Sequence, residues 1–289
     1  MQQDNMNIQW YPGHMTKTRR QIEADLKQVD AVCEIVDARI PFASRNPDID
    51  AICVGKPRIV ILNRMDLADP AATKRWQAYF RGKGMAAIAT DCKTKRGISE
   101  FEPSVRFILK EKLERDAARG MKRPMRVMVV GIPNVGKSTL INQISGRKGA
   151  KAENRPGVTR GKQWVNVDSG LLLLDTPGIL WPKFDDPEVG LMLAYTGAVK
   201  EGVIDLEELA CRLMELLHRR YPHALKERYG IDMPENTPGY ELLEEAGRKR
   251  GYLLARGEIH TERMAKVLVD EYRSGKLGKF TLEEPEETL

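Results

Sequence analysis

The sequence predicts an α/β protein with a mainly parallel sheet, followed by an all-helical domain. Up to residue 183, short β-branched or apolar runs alternate with stretches of helical spacing, which is typical of parallel α/β sheets. After Trp181 and Pro182 the strand pattern stops and amphipathic helical stretches follow. We therefore expect one domain over residues 1–183, with an N-terminal arm at 1–28, and a helical domain over residues 184–289.

The elements of the first domain follow from runs of apolar residues and their spacing. Between the expected strands, residues 16–28, 70–81, 99–118 and 137–144 have helical spacing, and Pro70 suits a first helical turn. Residues 110–124 are highly charged and end in a linker before the next strand. The expected strands are residues 31–36, 58–62, 86–90, 126–130, 163–167 and 171–174.

Three helices are expected in the second domain, at residues 205–219, 239–250 and 261–274. The first begins with a capping signature, Asp205 followed by Glu208. The last has Thr261 as its expected N-cap and Gly275 as its stop. No internal repeat is visible, so the pattern predicts a small helical domain.

The charge of the chain is unevenly distributed. Its 289 residues carry a formal net charge of +6, but residues 1–183 hold 32 basic and 19 acidic residues, against 15 and 22 in the remainder. We therefore expect a surface that faces a polyanion mainly on the first domain. The remainder ends in an acidic tail.

No apolar run is long enough for a membrane span, no leader pattern is visible and no CxxC spacing indicates zinc, so a soluble cytoplasmic protein is expected.

Residues 131–138, with the sequence GIPNVGKS, match the phosphate-binding pattern GxxxxGK[ST]. The motif lies directly after an expected strand and before an expected helix, where backbone N–H groups and the positive helix end can surround a phosphate. Lys137 is expected to contact the β- and γ-phosphates and Ser138 to ligate Mg²⁺. The expected phosphate-binding residues also include Asn134, Val135, Gly136 and Thr139.

A second phosphate element is the sequence DTPG, which begins with Asp175 at the end of an expected strand. From there a carboxylate can reach Mg²⁺ through a water molecule, and the Gly178 N–H can face the γ-phosphate. Between the two elements, the loop at residues 155–160 contains Thr159, which is expected to complete the Mg²⁺ shell when the γ-phosphate is present. The alternative for this loop is a plain surface loop.

The sequence NRMD at residues 63–66 resembles the NKxD element of GTPases and indicates guanine as the base. Asp66 can accept hydrogen bonds from the N1–H and 2-amino groups of guanine, whereas adenine would leave the carboxylate unpaired. Asn63 can join this loop to the base and the phosphate loop, and the stem of Arg64 can cover the purine face. The expected substrate is therefore GTP.

A further base contact is expected from Asp91-Cys92-Lys93, which aligns loosely with the SAK element of GTPases. The Cys92 N–H would meet guanine O6. A solvated basic loop is the alternative for this segment.

The motif order, together with the N-terminal run at residues 8–15 and DARIP at 37–41, closely resembles the ribosome biogenesis GTPase A, or YlqF, family. The base-recognition elements precede the phosphate loop, which is a circular permutation of the usual order in GTPases. The resemblance implies a circularly permuted P-loop G domain with a helical RNA-contacting domain. It also implies a GTPase that acts late in maturation of the large ribosomal subunit.

Catalysis departs from the usual GTPase pattern, because Ile179 follows DTPG where many GTPases carry a water-orienting glutamine. Another group must therefore position the water, and we hypothesise that His14 reaches the γ-phosphate or helps the ribosome do so. The alternative is a structural or RNA-contacting histidine. Asn134 resembles the asparagine that binds K⁺ in related GTPases, so K⁺ is an expected cofactor besides Mg²⁺.

The expected partners are the large ribosomal subunit and its rRNA, with the protein itself a monomer. Two alternatives remain open: a nucleotide-gated RNA-binding placeholder with negligible turnover, and a permuted GTPase that serves the small subunit. The chain shows neither the added barrel nor the zinc pattern of the latter.

Phosphate-contacting charge is expected from Lys17, Arg19, Arg20, Lys93, Lys95, Arg96, Arg147, Lys148, Lys151, Arg155, Arg160 and Lys162, with two smaller clusters at residues 218–220 and 248–250.

Overall fold

A computed structural model of the chain describes residue 20 and residues 22–146, 163–167, 170–176, 187–199 and 205–285. Six strands form one sheet, and each agrees with an expected strand to within one residue at either end. The strands are β1 (Ala31–Asp37), β2 (Arg58–Asn63), β3 (Ala86–Thr90), β4 (Met125–Val130), β5 (Gln163–Val167) and β6 (Leu171–Asp175).

The strand order across the sheet is β3-β2-β1-β4-β6-β5. Every neighbouring pair is parallel except β5 with β6, which is antiparallel. The carboxyl ends of β1, β2, β3, β4 and β6 therefore lie along one edge of the sheet, which is where ligands bind in open α/β sheets. All the expected site residues within the described ranges lie at one of these strand ends or in the segment that follows it.

Helices cover both faces of the sheet and continue beyond it, and residues 22–26 are also helical. Three of the helices below, α1, α6 and α8, were not predicted from the sequence. The helices are α1 (Ile49–Ile52), α2 (Pro70–Gly82), α3 (Phe101–Ile108), α4 (Lys110–Ala118), α5 (Lys137–Ser145), α6 (Pro187–Thr196), α7 (Leu206–Arg220), α8 (Pro222–Tyr229), α9 (Gly239–Lys249) and α10 (Thr261–Ser274).

The alternation of side chains along β1 explains the layers. Cys33 and Ile35 point into a cluster that also contains residues of α3 and α5, whereas Val36 packs on the other face with Trp76 and Phe80 of α2. All seven residues of β1 are buried, as expected for a central strand covered on both sides. Residues of α7, α9 and α10 belong to the same cluster as Cys33, so one apolar core joins the sheet to the later helices.

Two helix predictions need correction. The helix expected at residues 99–118 is divided at Leu109, whose φ of −102° and ψ of 8° separate α3 from α4 while its side chain stays buried. The N-cap of α10 is His260, not Thr261, because the His260 Nδ1 accepts the Arg263 N–H at 3.4 Å.

The expected domain boundary at residue 183 lies outside the described residues and stays a prediction. No helix in the described ranges has both the length and the apolar character that crossing a membrane requires.

Candidate functional site

The phosphate loop, residues 131–138, connects β4 to α5 at the centre of the sheet edge. Its curvature depends on glycine and on one asparagine in the left-handed region. Asn134 has a φ of 60° and Gly136 a φ of 102°. A Cβ on Gly131 would lie 2.6 Å from Ile35 Cγ2, and a Cβ on Gly136 would collide with the Asn63 side-chain amide. The loop therefore fits closely between β1 and the end of β2, with the N-terminus of α5 directed at it.

Two buried charges flank this loop. Lys137 begins α5 and is 7% exposed, and Asp175 ends β6 and is 3% exposed. Burial lowers the pKa of Lys137 and raises the pKa of Asp175, and the attraction between the two charges opposes both shifts. The sheet edge thus holds an amine and a carboxyl group that are both buried away from water. Buried charged groups favour the binding of ligands that carry the opposite charge.

The carboxyl group of Asp175 suits a magnesium ion. Within the described part of the chain its Oδ1 is buried and accepts no hydrogen bond. The neighbouring Thr176 anchors the strand end, because its hydroxyl donates to the Val129 carbonyl at 2.8 Å. Ser138 is half-buried in the first turn of α5 and offers a hydroxyl oxygen, so the two described members of the three oxygen donors expected for Mg²⁺ are of the right kind. Bound there, Mg²⁺ would neutralise charge on the β- and γ-phosphates.

Asn63, at the end of β2, connects the base-recognition loop, which we define as residues 63–69, to the phosphate loop. Its Nδ2 donates to the Val135 carbonyl at 2.7 Å, the kind of contact the sequence led us to expect. Its Oδ1 accepts the Thr90 hydroxyl at 3.2 Å and the Cys92 N–H at 3.3 Å. One buried amide therefore fixes three loops relative to one another.

In this structure the Cys92 N–H is directed at Asn63, and its expected contact with guanine O6 stays a prediction. Asp91 stabilises the loop around Cys92, because its carboxylate accepts the Lys93 N–H at 2.9 Å and the Thr94 hydroxyl at 2.6 Å. Burial raises the pKa of Asp91, but these hydrogen bonds outweigh it and hold the pKa below its usual value. Lys93 itself is exposed.

Arg64 also joins the two loops. Its φ is 62°, and its Nη2 donates to the Asn134 carbonyl at 2.5 Å while its Nη1 lies 3.6 Å from Asp37. The guanidinium thus points back to the phosphate loop, which leaves only the aliphatic stem for the expected contact with the purine. Asp66, two residues on, is half-buried in the same loop.

Asn134 connects the phosphate loop to the helical part of the chain. Its Nδ2 donates to the carbonyl of Gly197, just after α6, at 3.1 Å. The same helix end is held by Arg273 of α10, which donates to the Ala194 carbonyl at 2.9 Å and the Tyr195 carbonyl at 3.1 Å. In this arrangement the Asn134 amide faces Gly197, and its expected role as a K⁺ ligand remains a prediction.

The structure brings together the expected residues at the ends of β2, β3, β4 and β6, with Thr139 half-buried in α5. His14, Thr159 and Gly178 lie outside the described residues. Sequence reasoning missed the roles of Asp37, Arg39 and Gly197 around this edge. The available signal for the first two was their position at the end of an apolar strand next to the phosphate-loop strand.

Comparisons with known proteins indicate the family of the chain. A family model described as 50S ribosome-binding GTPase matches residues 126–219. Ribosome biogenesis GTPase A of Priestia megaterium is 47% identical over 98% of this chain and 98% of its own length. Its namesake from Thermotoga maritima is 34% identical over 97% of this chain and 95% of its own length.

The chain belongs to the ribosome biogenesis GTPase A family. A GDP-bound structure of TM YlqF, a solved relative, covers 92% of this chain and 100% of its own, with 29% identity and a TM-score of 0.66. The protein is therefore a GTPase of ribosome biogenesis, with GTP as substrate and Mg²⁺ as the metal ion typical of such enzymes.

The fold is a circularly permuted G domain followed by helices. The NRMD element after β2 and the DCK element after β3 precede the phosphate loop after β4 and Asp175 after β6. In space all four lie at the same sheet edge, because the strands that carry them are parallel. Permutation has changed the order of these elements along the chain and has kept them together at one edge of the sheet.

Proposed function

We propose that this GTPase is an assembly factor in late maturation of the large (50S) ribosomal subunit, which binds rRNA in its GTP state and leaves after hydrolysis. The observation that carries the proposal is the match of residues 126–219 to a model of 50S ribosome-binding GTPases. This segment contains the phosphate loop, Asp175, α6 and all of α7 except its last residue. The likeness therefore includes both the phosphate-binding elements and the first two of the later helices.

The charge pattern supports rRNA as the partner. Lys93, Lys95 and Arg96 are exposed beside the base-recognition loop, and Arg20 is exposed near the start of the described chain. Such charges give affinity for phosphates without base specificity. In the basic cluster at residues 218–220, the expectation that His218 contacts phosphate is wrong. This side chain is 5% exposed and its Nε2 lies 2.9 Å from the Pro234 carbonyl. The other expected residues outside the described ranges remain predictions.

The proposed roles within the site follow the chemistry of each group. Lys137 contacts the β- and γ-phosphates, and Ser138, Thr159 and Asp175 hold Mg²⁺. Asn63, Arg64, Asp66 and Cys92 hold the base. Gly178 faces the γ-phosphate, and Asn134 helps bind K⁺. Because Ile179 has no group that could orient water, His14 assists the attack of water.

Coupling between nucleotide and rRNA is supported by the contact of Asn134 with Gly197. A phosphate loop that changes with the nucleotide would alter this hydrogen bond, and Arg273 would transmit the change to α10. We propose that residues 184–289 act as a helical RNA-contacting domain moved in this way. Ribosomal subunits mature where they are made, so this role puts the protein in the cytoplasm, and one copy per subunit suits a monomer.

The test is GTP hydrolysis by the full chain alone, with large subunits and with small subunits, each in K⁺ and in Na⁺. Stimulation by large subunits only is the expected result, with higher rates in K⁺. Equal or exclusive stimulation by small subunits would overturn the assignment of the subunit. Binding to large subunits without any increase in turnover would instead support the nucleotide-gated placeholder.

A further inference from the structure

The C-terminal strap, which we define as residues 277–284, returns from α10 to the base-recognition loop. The Phe280 N–H donates to the carbonyl of Leu67, the residue after Asp66, at 3.0 Å. The Leu282 N–H donates to the Arg39 carbonyl at 2.7 Å. The strap therefore forms backbone hydrogen bonds with the base-recognition loop and with the segment after β1.

Thr281 makes the most connections in the strap. Its side chain is fully buried, and its hydroxyl accepts the Asp69 N–H at 3.2 Å and donates to the Ala38 carbonyl at 3.1 Å. Its own carbonyl accepts the Tyr221 hydroxyl at 2.7 Å. One threonine thus fixes the end of the base-recognition loop, the end of β1 and the junction of α7 with α8.

Two anchors keep the strap in place on either side of Thr281. The Glu283 carboxyl group accepts the Phe42 N–H at 2.7 Å and the Ala43 N–H at 3.0 Å. The Trp76 Nε1 donates to the Glu283 carbonyl at 3.0 Å. On the other side, a Cβ on Gly275 would lie 2.6 Å from Leu67 Cδ2, so the end of α10 packs directly on the base-recognition loop.

Arg39 completes the support beneath this loop. It is fully buried, its Nε and Nη2 donate to Asp37 at 2.9 and 2.7 Å, and its guanidinium lies 5.4 Å from the ring centroid of Tyr272 in α10. Burial alone would raise the pKa of Asp37, but the charge and hydrogen bonds of Arg39 hold that pKa below its usual value. Because Asp37 also lies 3.6 Å from the Nη1 of Arg64, Arg39 connects Tyr272 of α10 to the base-recognition loop.

We propose that the C-terminal strap is a specificity element of the guanine site, with Phe280 and Thr281 as positioning residues for the loop that carries Asp66. The proposal rests on the proposed contact of Asp66 with guanine. A carboxylate that accepts two hydrogen bonds from one base must be held to within a few tenths of an ångström, since these bonds weaken steeply with distance and angle. Loosening the strap should weaken recognition of the base and spare recognition of the phosphates.

The experiment compares Mg²⁺ complexes of GDP, inosine diphosphate and pyrophosphate on the full chain. Inosine lacks the 2-amino group, so the ratio of the two nucleotide dissociation constants reports one hydrogen bond to Asp66, and we expect about tenfold preference for GDP. Thr281→Val should reduce this preference at least about threefold and leave pyrophosphate affinity unchanged. A role limited to folding stability would lower the unfolding temperature without changing the preference.

Glu284→Gln is the matched control within the strap, because Glu284 pairs with the half-exposed Arg75 and does not contact the base-recognition loop. Its preference for GDP should equal that of the wild type. Asp66→Asn distinguishes a failure of the Asp66 assignment from a failure of the strap inference. If the wild type itself does not prefer GDP over inosine diphosphate, the assignment of Asp66 fails. If Asp66→Asn abolishes the preference and Thr281→Val keeps it, the strap inference alone is overturned.

Amide hydrogen exchange on the wild type decides the question even if Thr281→Val does not fold. Since linkage is reciprocal, GDP should slow exchange at the Phe280 and Leu282 amides several-fold more than pyrophosphate does. Equal protection by both ligands would contradict the proposal.

Discussion

The two sides of the nucleotide site are built in opposite ways. On the base side, the polar groups satisfy one another: the Asn63 amide donates to Val135 and accepts from Thr90 and Cys92. On the phosphate side, Lys137 and Asp175 are buried charges whose pKa values are displaced by desolvation, and the Asp175 Oδ1 has no hydrogen bond among the described residues.

This difference indicates how each side of the site contributes to folding stability and to ligand binding. The base side is assembled by contacts within the protein, so a change there should weaken the fold together with nucleotide binding. On the phosphate side, the proposed partners of Lys137 and Asp175 are the ligand and its metal ion, so a change there should weaken the chemistry while the free protein keeps its stability. Three substitutions follow from this contrast, in order of decreasing effect.

The largest effect is expected from Lys137→Met on the phosphate side. Loss of this charge from the β- and γ-phosphates should reduce GTP turnover by about 10²–10³-fold, the scale measured when one preorganised donor to a transition state is removed. The free energy of unfolding without nucleotide should stay close to that of the wild type, since the desolvated amine is removed and Asp175, whose pKa is already raised by burial, can take up a proton when its attraction to Lys137 is lost. Turnover and chemical denaturation measure the two quantities.

Lys122→Met is the control for this change, because Lys122 is exposed in the linker before β4. It should leave both turnover and stability as they are. A Lys137→Met protein that loses stability as severely as activity would remove the contrast between the two sides.

On the base side, Asn63→Ala should act through the fold. It leaves the Val135 carbonyl and the Cys92 N–H buried without their partner, and each such group costs about 1–3 kcal/mol. We expect the nucleotide-free protein to lose about 2–4 kcal/mol of unfolding free energy, measured by denaturant titration. Thr90→Val removes only one donor to Asn63 and should cost about 1 kcal/mol. Equal losses in the two variants would show that Asn63 does not join the loops.

Much of the fold could be predicted from the sequence because its signals are local. The strands are short apolar runs, and the phosphate loop combines glycines with a fixed position between a strand and a helix. Leu109 marks the limit of such signals: nothing in its identity distinguishes a helix break from a helix interior, and only the packing of α3 on the sheet places the break there.

The C-terminal strap could not be predicted, for a physical reason. Glu283 and Glu284 belong to a run that reads as a solvated acidic tail. The groups that make burial of Glu283 tolerable are backbone N–H donors of Phe42 and Ala43, some 240 residues away in the chain. Backbone donors leave no trace in the types of residue that carry them, so only the folded arrangement reveals the partner. For the same reason the contact of Asn134 with the Gly197 carbonyl was not foreseen.

The third substitution concerns Glu283, and its effect depends on pH. Burial raises its pKa from 4.5 to about 7, against the hydrogen bonds from Phe42 and Ala43 and the charge of Arg220, while Asp37 raises it further. The folded protein thus binds a proton that the unfolded chain has released over this range, and stability falls as pH rises through it. Glu283→Gln removes this titration. Relative to the wild type, the variant should gain about 2–3 kcal/mol of unfolding free energy between pH 5 and pH 8.

Denaturant titrations of both proteins at several pH values give this difference directly, and Glu284→Gln, on an exposed ion pair, should follow the wild-type curve. If the curves of Glu283→Gln and the wild type run parallel, the carboxyl group is ionised throughout, and its hydrogen bonds to the Phe42 and Ala43 N–H groups outweigh its burial. That result would make Glu283 a further buried charge on the base side, besides the Asp37–Arg39 pair, and like that pair it would have its partners within the protein.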